Sequence, residues 1–234
     1  MLLHPLFAQL ERHAPLTPAE RQALTDLVTA PRRFAAGVDL VQDGDRPREC
    51  RVLLTGQAFR HKTLADGRRQ ISAFHVPGDV LDIPGLFMSL DHGVCALTAC
   101  EVAVLPHSRL QAAFQAHPNL ALAFWSISLI EAAIFREWML GIGRRTAYAR
   151  VAHLFCEMIL RLRAMGLSDG VRAPFPVTQQ HLSDALGLSA VHTNRVLQQL
   201  RGQGLLSFSG GELVVMDWPG LQAAGEFDAA YLHT

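Results

Sequence analysis

The sequence predicts an α+β protein in which an all-β block, one long apolar helix and a C-terminal helical segment follow one another along the chain. Three observations support this order. Turn residues divide residues 34–105 into short strand-like segments. After Pro118, apolar residues recur every three or four positions, which is the spacing of a helix. Downstream of Thr178, two short amphipathic helices are separated by a turn that contains Gly187.

Length and composition narrow the class of protein. The chain has 234 residues, half of them hydrophobic, with 21 basic and 21 acidic side chains. This composition excludes a disordered or polybasic chain, and the length favours two modest domains. The N-terminus lacks the basic start of a signal peptide, and the most apolar stretch, residues 120–135, is interrupted by two serines and Glu131. We therefore expect a cytoplasmic protein with no membrane partner.

The all-β block contains three segments with strand-like composition, at residues 51–54, 70–76 and 101–105. Asp66-Gly67 lies between two strand-like runs and is a hairpin-turn signal. Short strands with frequent turns favour a barrel or a sandwich. Before the block, Thr17-Pro18 is a start signal for a short helix.

The segment after Pro118 predicts a single long helix with apolar residues on more than one face. We expect its main stripe to form a homodimer seam with the same helix of a second chain, while another side lies on the β block. The alternative is a core helix of a monomer. Gly141 and Gly143 weaken the helix and predict a hinge. The predicted seam residues are Leu120, Phe124, Ile127, Ile130, Ile134 and Trp138, with Ile142 continuing the stripe.

The two short helices after residue 178 have the pattern of a helix-turn-helix unit. Thr178 and Ser189 are plausible N-caps, and Gly187 is a C-terminal turn residue of the first helix. In such units the second helix enters the DNA major groove. Residues 205–216 then read as two short strands about Gly210-Gly211, which predicts the hairpin of a winged helix.

Charge is distributed unevenly along this neutral chain. Residues 144–206 hold eight arginines and three acidic residues, whereas residues 1–143 hold thirteen basic and fourteen acidic residues. The excess positive charge therefore lies around the helix-turn-helix motif. It is modest, and it supports a nucleic-acid interpretation only together with the motif.

In these features the chain resembles the Crp/Fnr (catabolite-activator and FNR) family of bacterial transcription regulators. The resemblance depends on Pro77-Gly-Asp, Gly85-Leu-Phe, the run Leu97-Thr-Ala-Cys-Glu-Val, the long helix and the helix-turn-helix pattern from Leu182 to Leu200. It implies a β-roll of the cyclic-nucleotide-binding-like jelly-roll type over residues 1–116, a dimerisation helix over 117–142 and a winged helix-turn-helix domain over 143–234. It also implies a homodimer that binds double-stranded DNA at a two-fold-related site, with RNA polymerase as a candidate partner.

The resemblance and the motif together indicate the DNA-contacting residues. Arg195 matches the specificity arginine of the family and can donate two hydrogen bonds to guanine. Many family members have Glu where this chain has Val191, so the usual half-site is not assumed. We expect base contacts from Arg195, Asn194, His192, Val191 and Ala190, and phosphate contacts from Thr178, Gln180 and Ser189.

The sensor pocket departs from the family's cyclic-nucleotide binders. Asp82-Ile83 stand where those members have Gly-Glu, and no Arg or Lys occurs from Gln70 to Ser108. A buried phosphate needs a cationic partner, so we expect that cyclic AMP is not the effector. The candidate pocket residues are Ile83, Leu86, Phe87 and Leu90.

No cofactor or metal is expected. Family members with an iron–sulfur cluster carry closely spaced cysteines near the N-terminus, whereas the first cysteine here is Cys50. Cys95 and Cys100 are five residues apart in a strand-like run, on opposite faces, and we expect them to be small buried core residues. Haem bound by a histidine stays open, without a specific signal.

The sequence supports three functional classes to different degrees. The sequence favours a dimeric, sequence-specific transcriptional regulator. The alternative is a ligand-sensing module that controls a partner protein and uses its helix-turn-helix for packing. An enzyme is not expected, because no nucleophile elbow, phosphate loop or His-Glu-x-x-His motif is present in the sequence.

Overall fold

A computed structural model describes residues 2–233. The chain divides into two compact units: unit 1 comprises residues up to 64 together with 73–131, and unit 2 comprises 65–72 together with 132 onward. Unit 1 begins with α1 (His4–Leu10), which the sequence did not predict, and α2 (Pro18–Leu27). Thr17 and Glu20 form a capping box at the start of α2, as the Thr17-Pro18 signal indicated.

The β block consists of two sheets that pack face to face. Their core includes Leu53, Leu81, Val94 and Val102, each completely buried. The strand order is β1-β7-β3 in one sheet and β2-β6-β4-β5 in the other. The strands are β1 (Arg32–Phe34), β2 (Asp39–Val41), β3 (Glu49–Thr55), β4 (Ala58–Thr63), β5 (Arg69–His75), β6 (Gly93–Ala96) and β7 (Cys100–Pro106).

The cysteines and one glycine show how tightly the β block is packed. Cys95 and Cys100 are buried free thiols, so the prediction of small core residues is confirmed. At the turn between β3 and β4, Gly56 has a φ of +86°, and a Cβ built there would lie 2.3 Å from the carbonyl oxygen of Ala99. Only glycine fits this position.

Two helices follow the β block, α3 (His107–Ala116) and α4 (Pro118–Arg144). The helix α4 runs without interruption through Gly141 and Gly143, so the predicted hinge at these glycines is wrong. The break comes at residues 145–146, and Thr146 is the N-cap of the next helix. Neither glycine has a positive φ, so both fit the right-handed backbone of the helix. An isolated glycine weakens a helix without ending it.

By length and composition alone α4 could cross a membrane, with a mean hydropathy of 1.5, and it is the one such helix among residues 2–233. Its first turns, however, belong to the core of unit 1, where Leu120, Ala123 and Phe124 pack with α1 and α2. A helix that is apolar on several faces occurs both in protein cores and in membranes, so composition alone does not distinguish the two.

The buried face of α4 corrects the predicted dimer seam. Leu120 and Phe124 are 0% and 2% exposed within unit 1, and Trp138 is buried in unit 2, so these three cannot meet a second chain. Ile127, Ile130 and Ile134 are half-buried. The large apolar side chains that α4 leaves exposed include Leu122, Trp125, Leu129, Phe135 and Met139.

Unit 2 contains a helical layer and a three-stranded sheet of order β8-β10-β9. Phe155, Phe175 and Phe208 form its aromatic centre, with ring centroids 5.2 to 6.4 Å apart. The elements are α5 (Ala147–Ala164), β8 (Arg172–Pro174), α6 (Gln179–Leu186), α7 (Ala190–Gly202), β9 (Leu206–Ser209), β10 (Glu212–Val215), α8 (Trp218–Ala224) and a 3-10 turn (Ala229–Leu232).

Candidate nucleic-acid interface

The helices α6 and α7 form the helix-turn-helix that the sequence indicates. Thr178 accepts a hydrogen bond from the backbone N–H of His181, and Ser189 accepts one from His192, so both predicted caps are present. Gly187 ends α6 with a left-handed φ of +63°. The turn thus places the start of α7 immediately after the end of α6.

A buried hydroxyl pair holds the two helices together. The Ser183 and Thr193 hydroxyl oxygens are 2.9 Å apart, and Ser183 also donates to the carbonyl oxygen of Gln179 at 2.8 Å. Thr193 is completely buried. Sequence reasoning missed this pair, although Thr193 shares its helical face with the apolar Val196, Leu197 and Leu200.

The opposite face of α7 is open to solvent and presents most of the predicted base-reading residues. Val191 is 83% exposed, and Ala190, Asn194 and Arg195 are also exposed. Within the described chain Arg195 has no hydrogen bond or ion pair, so its guanidinium is available to a ligand. Asn194 accepts a weak hydrogen bond from Gln179 at 3.4 Å. His192 is half-buried.

The predicted phosphate-binding residues are exposed but already have partners. The hydroxyls of Thr178 and Ser189 cap their helices, and Gln180 donates to Asp184 at 2.6 Å. Their unused donor and acceptor capacity still faces solvent at the N-termini of α6 and α7, where the helix dipole favours an anion.

Several arginine side chains around the motif form hydrogen bonds or ion pairs inside unit 2. Arg150 donates to the carbonyl oxygen of Leu186 at 2.8 Å, and Arg201 donates to that of Phe208. Arg161 pairs with the buried Glu157. Fewer of these arginines are therefore available for direct contact with phosphates than the count in the sequence indicates.

A hairpin segment far away in sequence reaches the helix-turn-helix. Arg69 forms an ion pair with Asp184 at 2.8 Å, and Gln70 donates to the carbonyl oxygen of Ala185 at 3.0 Å, all within unit 2. Burial, and then the charge of Arg69, lower the pKa of His181. Sequence reasoning missed Arg69 and Gln70, because the contact joins residues 115 positions apart.

A buried polar network joins α4, α5 and the C-terminal 3-10 turn within unit 2. The completely buried Glu157 accepts hydrogen bonds from the indole N–H of Trp138 and the hydroxyl of Tyr231, each at 2.9 Å. Tyr231 also lies 3.0 Å from Nε2 of His153. Burial and the charge of Glu157 raise the pKa of Tyr231, whereas burial and then the charge of Arg145 lower the pKa of His153.

The structure divides the predicted effector-pocket residues of unit 1 between two hydrophobic clusters and the surface. Leu86 packs in the cluster that contains α1 and α2, with Ile83 against it, whereas Leu90 packs between the two sheets. Phe87 is 75% exposed. Among the described residues no group of three or more His, Cys, Asp or Glu side chains could hold a metal ion.

Comparisons with known proteins agree with this architecture. A family model for the cyclic nucleotide-binding domain matches residues 31–117, and one for the Crp-like helix-turn-helix domain matches residues 149–224. The nitrogen fixation regulation protein FixK of Bradyrhizobium diazoefficiens is 30% identical over 190 residues, which are 79% of this chain and 77% of FixK. The transcriptional activator protein FnrL of Cereibacter sphaeroides is 26% identical over 201 residues, 85% of this chain and 81% of FnrL.

A solved structure shows the same fold. FixK2 from Bradyrhizobium japonicum superposes with a TM-score of 0.77 at 29% identity, over 86% of this chain and 99% of FixK2. The predicted fold class is thereby confirmed. With its β-roll, long helix and helix-turn-helix in the order of these relatives, the chain belongs to the Crp/Fnr family of transcriptional regulators.

Proposed function

We propose that this regulator is a cytoplasmic homodimer that binds a two-fold-related site in duplex DNA, with α7 in the major groove and Arg195 reading a guanine. The observation that carries the proposal is the state of Arg195, which is exposed, has no partner in the described chain and stands on a helix fixed by the buried Ser183–Thr193 pair. A guanidinium held in this way can donate two hydrogen bonds to O6 and N7 of guanine.

The neighbours of Arg195 complete the reading surface. Asn194 can pair with adenine, and Val191 offers an apolar surface that suits the methyl group of thymine. The cap residues Thr178 and Ser189 position the helix on the phosphates. Each protomer contributes one α7, so the half-sites lie about 34 Å apart, one turn of DNA.

Relatives named as transcriptional activators make RNA polymerase a candidate partner of the bound dimer. Cyclic AMP is not required for DNA binding in this proposal, because the departures from the nucleotide-binding pattern noted above leave its phosphate without a cation in the usual segment. The sensing-module alternative differs in one outcome, since it predicts no selection of specific fragments from genomic DNA.

The test compares Arg195→Ala with Arg195→Lys on a site selected from genomic fragments, using fluorescence anisotropy at two salt concentrations. Loss of a bidentate base contact should cost about 1–3 kcal/mol per half-site, relax one base position in each half, and be rescued poorly by lysine. A phosphate contact would instead weaken all sequences alike, lower the salt slope by about one unit per contact, and be rescued by lysine. Equal losses on specific and random DNA would overturn the base-reading role.

A further inference from the structure

The interior of the β-roll contains a largely buried cation, Arg60, that sequence reasoning did not single out. Arg60 stands opposite Val94 in the pairing of β4 with β6, and shares its side of β4 with Ala58. Both Ala58 and Val94 belong to the core between the two sheets. Arg60 therefore lies on the inner face of its sheet, and its side chain is only 14% exposed. A charge in such a place needs a partner of opposite sign.

That partner comes from the long helix. The carboxylate of Glu131, on the unit 1 part of α4, forms an ion pair with the guanidinium of Arg60. Arg60 also donates to the carbonyl oxygen of Leu81 at 3.4 Å. Within residues 2–233 the buried Nε of Arg60 has no hydrogen-bond partner, so the guanidinium keeps one unused donor.

A buried histidine, His92, is close enough to Arg60 and Glu131 to be affected by their charges. His92 is buried, its Nδ1 lies 2.8 Å from the carboxylate of Asp91, and its buried Nε2 has no hydrogen-bond partner in the described chain. Burial, and then the charge of Arg60, lower the pKa of His92, while Asp91 and Glu131 act in the opposite direction. With Nδ1–H directed at Asp91, the neutral ring keeps Nε2 as an unused acceptor, in addition to the unused donor of Arg60.

Another buried polar group of the β-roll is also engaged internally. Asp82, at the position where the resemblance expects a ribose-binding pair, is completely buried. It accepts a hydrogen bond from the backbone N–H of Arg51 at 2.7 Å and forms an ion pair with the same side chain. The carboxylate of Asp82 and the guanidinium of Arg51 are thus paired with each other, and neither is free to bind a nucleotide.

We propose that Glu131 takes the place beside Arg60 that a small anionic effector would otherwise occupy, so that the β-roll holds α4 without a ligand and excludes phosphates and carboxylates. The protein's own carboxylate neutralises the cation. An incoming anion must therefore either displace Glu131 or share the site with a like charge. This inference deepens the proposed independence from cyclic AMP. It is tested without DNA, so the two proposals can fail separately.

The first experiment measures the binding of inorganic phosphate and of cyclic AMP by calorimetry to the full-length wild type, Glu131→Gln and Glu137→Gln. The control Glu137→Gln removes the same charge from the same helix, six residues along, from a carboxylate paired with Arg145. We expect no binding to the wild type or the control, and phosphate affinity higher by about tenfold or more in Glu131→Gln, since a nearby negative charge is removed. Adding Arg60→Gln to Glu131→Gln should abolish this affinity.

Phosphate binding by the wild type, or equal binding by the two Gln variants, would overturn the proposal. Absence of binding by a folded Glu131→Gln variant would also overturn it. A second measurement covers the case in which that variant does not fold. The exchanged pair Arg60→Glu with Glu131→Arg should restore the melting temperature that either single substitution lowers, because the attraction is preserved. A double exchange that is no more stable than the worse single variant would show that the pair does not couple the β-roll to α4.

Discussion

The buried network around Glu157 gives a stability prediction whose size follows from the structure. Tyr231→Phe removes one hydroxyl that makes two contacts, one to the carboxylate of Glu157 at 2.9 Å and one to His153 at 3.0 Å. A hydrogen bond to a charged group contributes about 1.5–3 kcal/mol and a neutral one about 0.5–1.5 kcal/mol.

The expected cost lies toward the low end of the sum of these two values. After the substitution, Glu157 still accepts a hydrogen bond from Trp138 at 2.9 Å and still forms an ion pair with Arg161 at 3.3 Å. The buried carboxylate therefore keeps two of its partners. We therefore expect a loss of about 2 kcal/mol in the free energy of unfolding. For a chain of this size that corresponds to a fall in Tm of about 4–8 °C.

The chain's other tyrosine supplies a matched control. The hydroxyl of Tyr148 bonds to Gln203 at an exposed site, where water can replace it, so Tyr148→Phe should change stability by less than about 0.5 kcal/mol. Urea unfolding followed by tryptophan fluorescence, at one fixed protein concentration, measures both variants. If the two substitutions had equal effects, the network would contribute no more than a surface hydrogen bond, and the reasoning from burial would be refuted.

Three further predictions concern pH, the helix-turn-helix turn and the dimer. Because the pKa of His153 is lowered in the fold, only the unfolded chain takes up this proton as pH falls below about 6.5. The contribution of this residue to the free energy of unfolding should be full above that pH and decrease below it, by at most about 1.4 kcal/mol per pH unit. In urea melts, His153→Gln should therefore show a smaller pH slope than the wild type, and an equal slope would show that this linkage is absent. Gly187→Ala should cost about 1–2 kcal/mol, because its φ of +63° is strained for alanine although the nearest atoms to a Cβ are 3.9 Å away; unchanged melting would contradict this. Trp125→Glu combined with Met139→Glu should convert the proposed homodimer to a monomer in light scattering, since both side chains are more than half exposed in one chain. A dimer that survives the double substitution would place the seam elsewhere.

The sequence by itself determined the order of the elements and the identity of the helix-turn-helix. Its signals there are local: the caps Thr178 and Ser189, the turn glycine Gly187 and the hairpin at Gly210-Gly211 each act within a few residues. Local signals survive in a single sequence because the backbone conformation that they favour does not depend on distant contacts.

Only the tertiary structure decided which face of α4 is buried. A helix with apolar residues on several sides has the same periodicity whether a stripe meets its own chain or another, so the sequence assigned Leu120, Phe124 and Trp138 to the seam although they are buried within the protomer. It also placed the hinge at two glycines, where the continuous backbone hydrogen bonds of α4 outweigh a weak propensity.

The polar pairs that connect distant segments were likewise decided by the tertiary structure. Arg60 meets Glu131, Arg69 meets Asp184, and Tyr231 meets a carboxylate 74 positions away in the sequence. Such pairs leave no periodic pattern, because each partner sits singly on its own element and becomes a neighbour only when the chain packs. The absence of Arg and Lys from residues 70–108 was a correct observation about the sequence. The cation inside the β-roll nevertheless enters from β4, outside that segment.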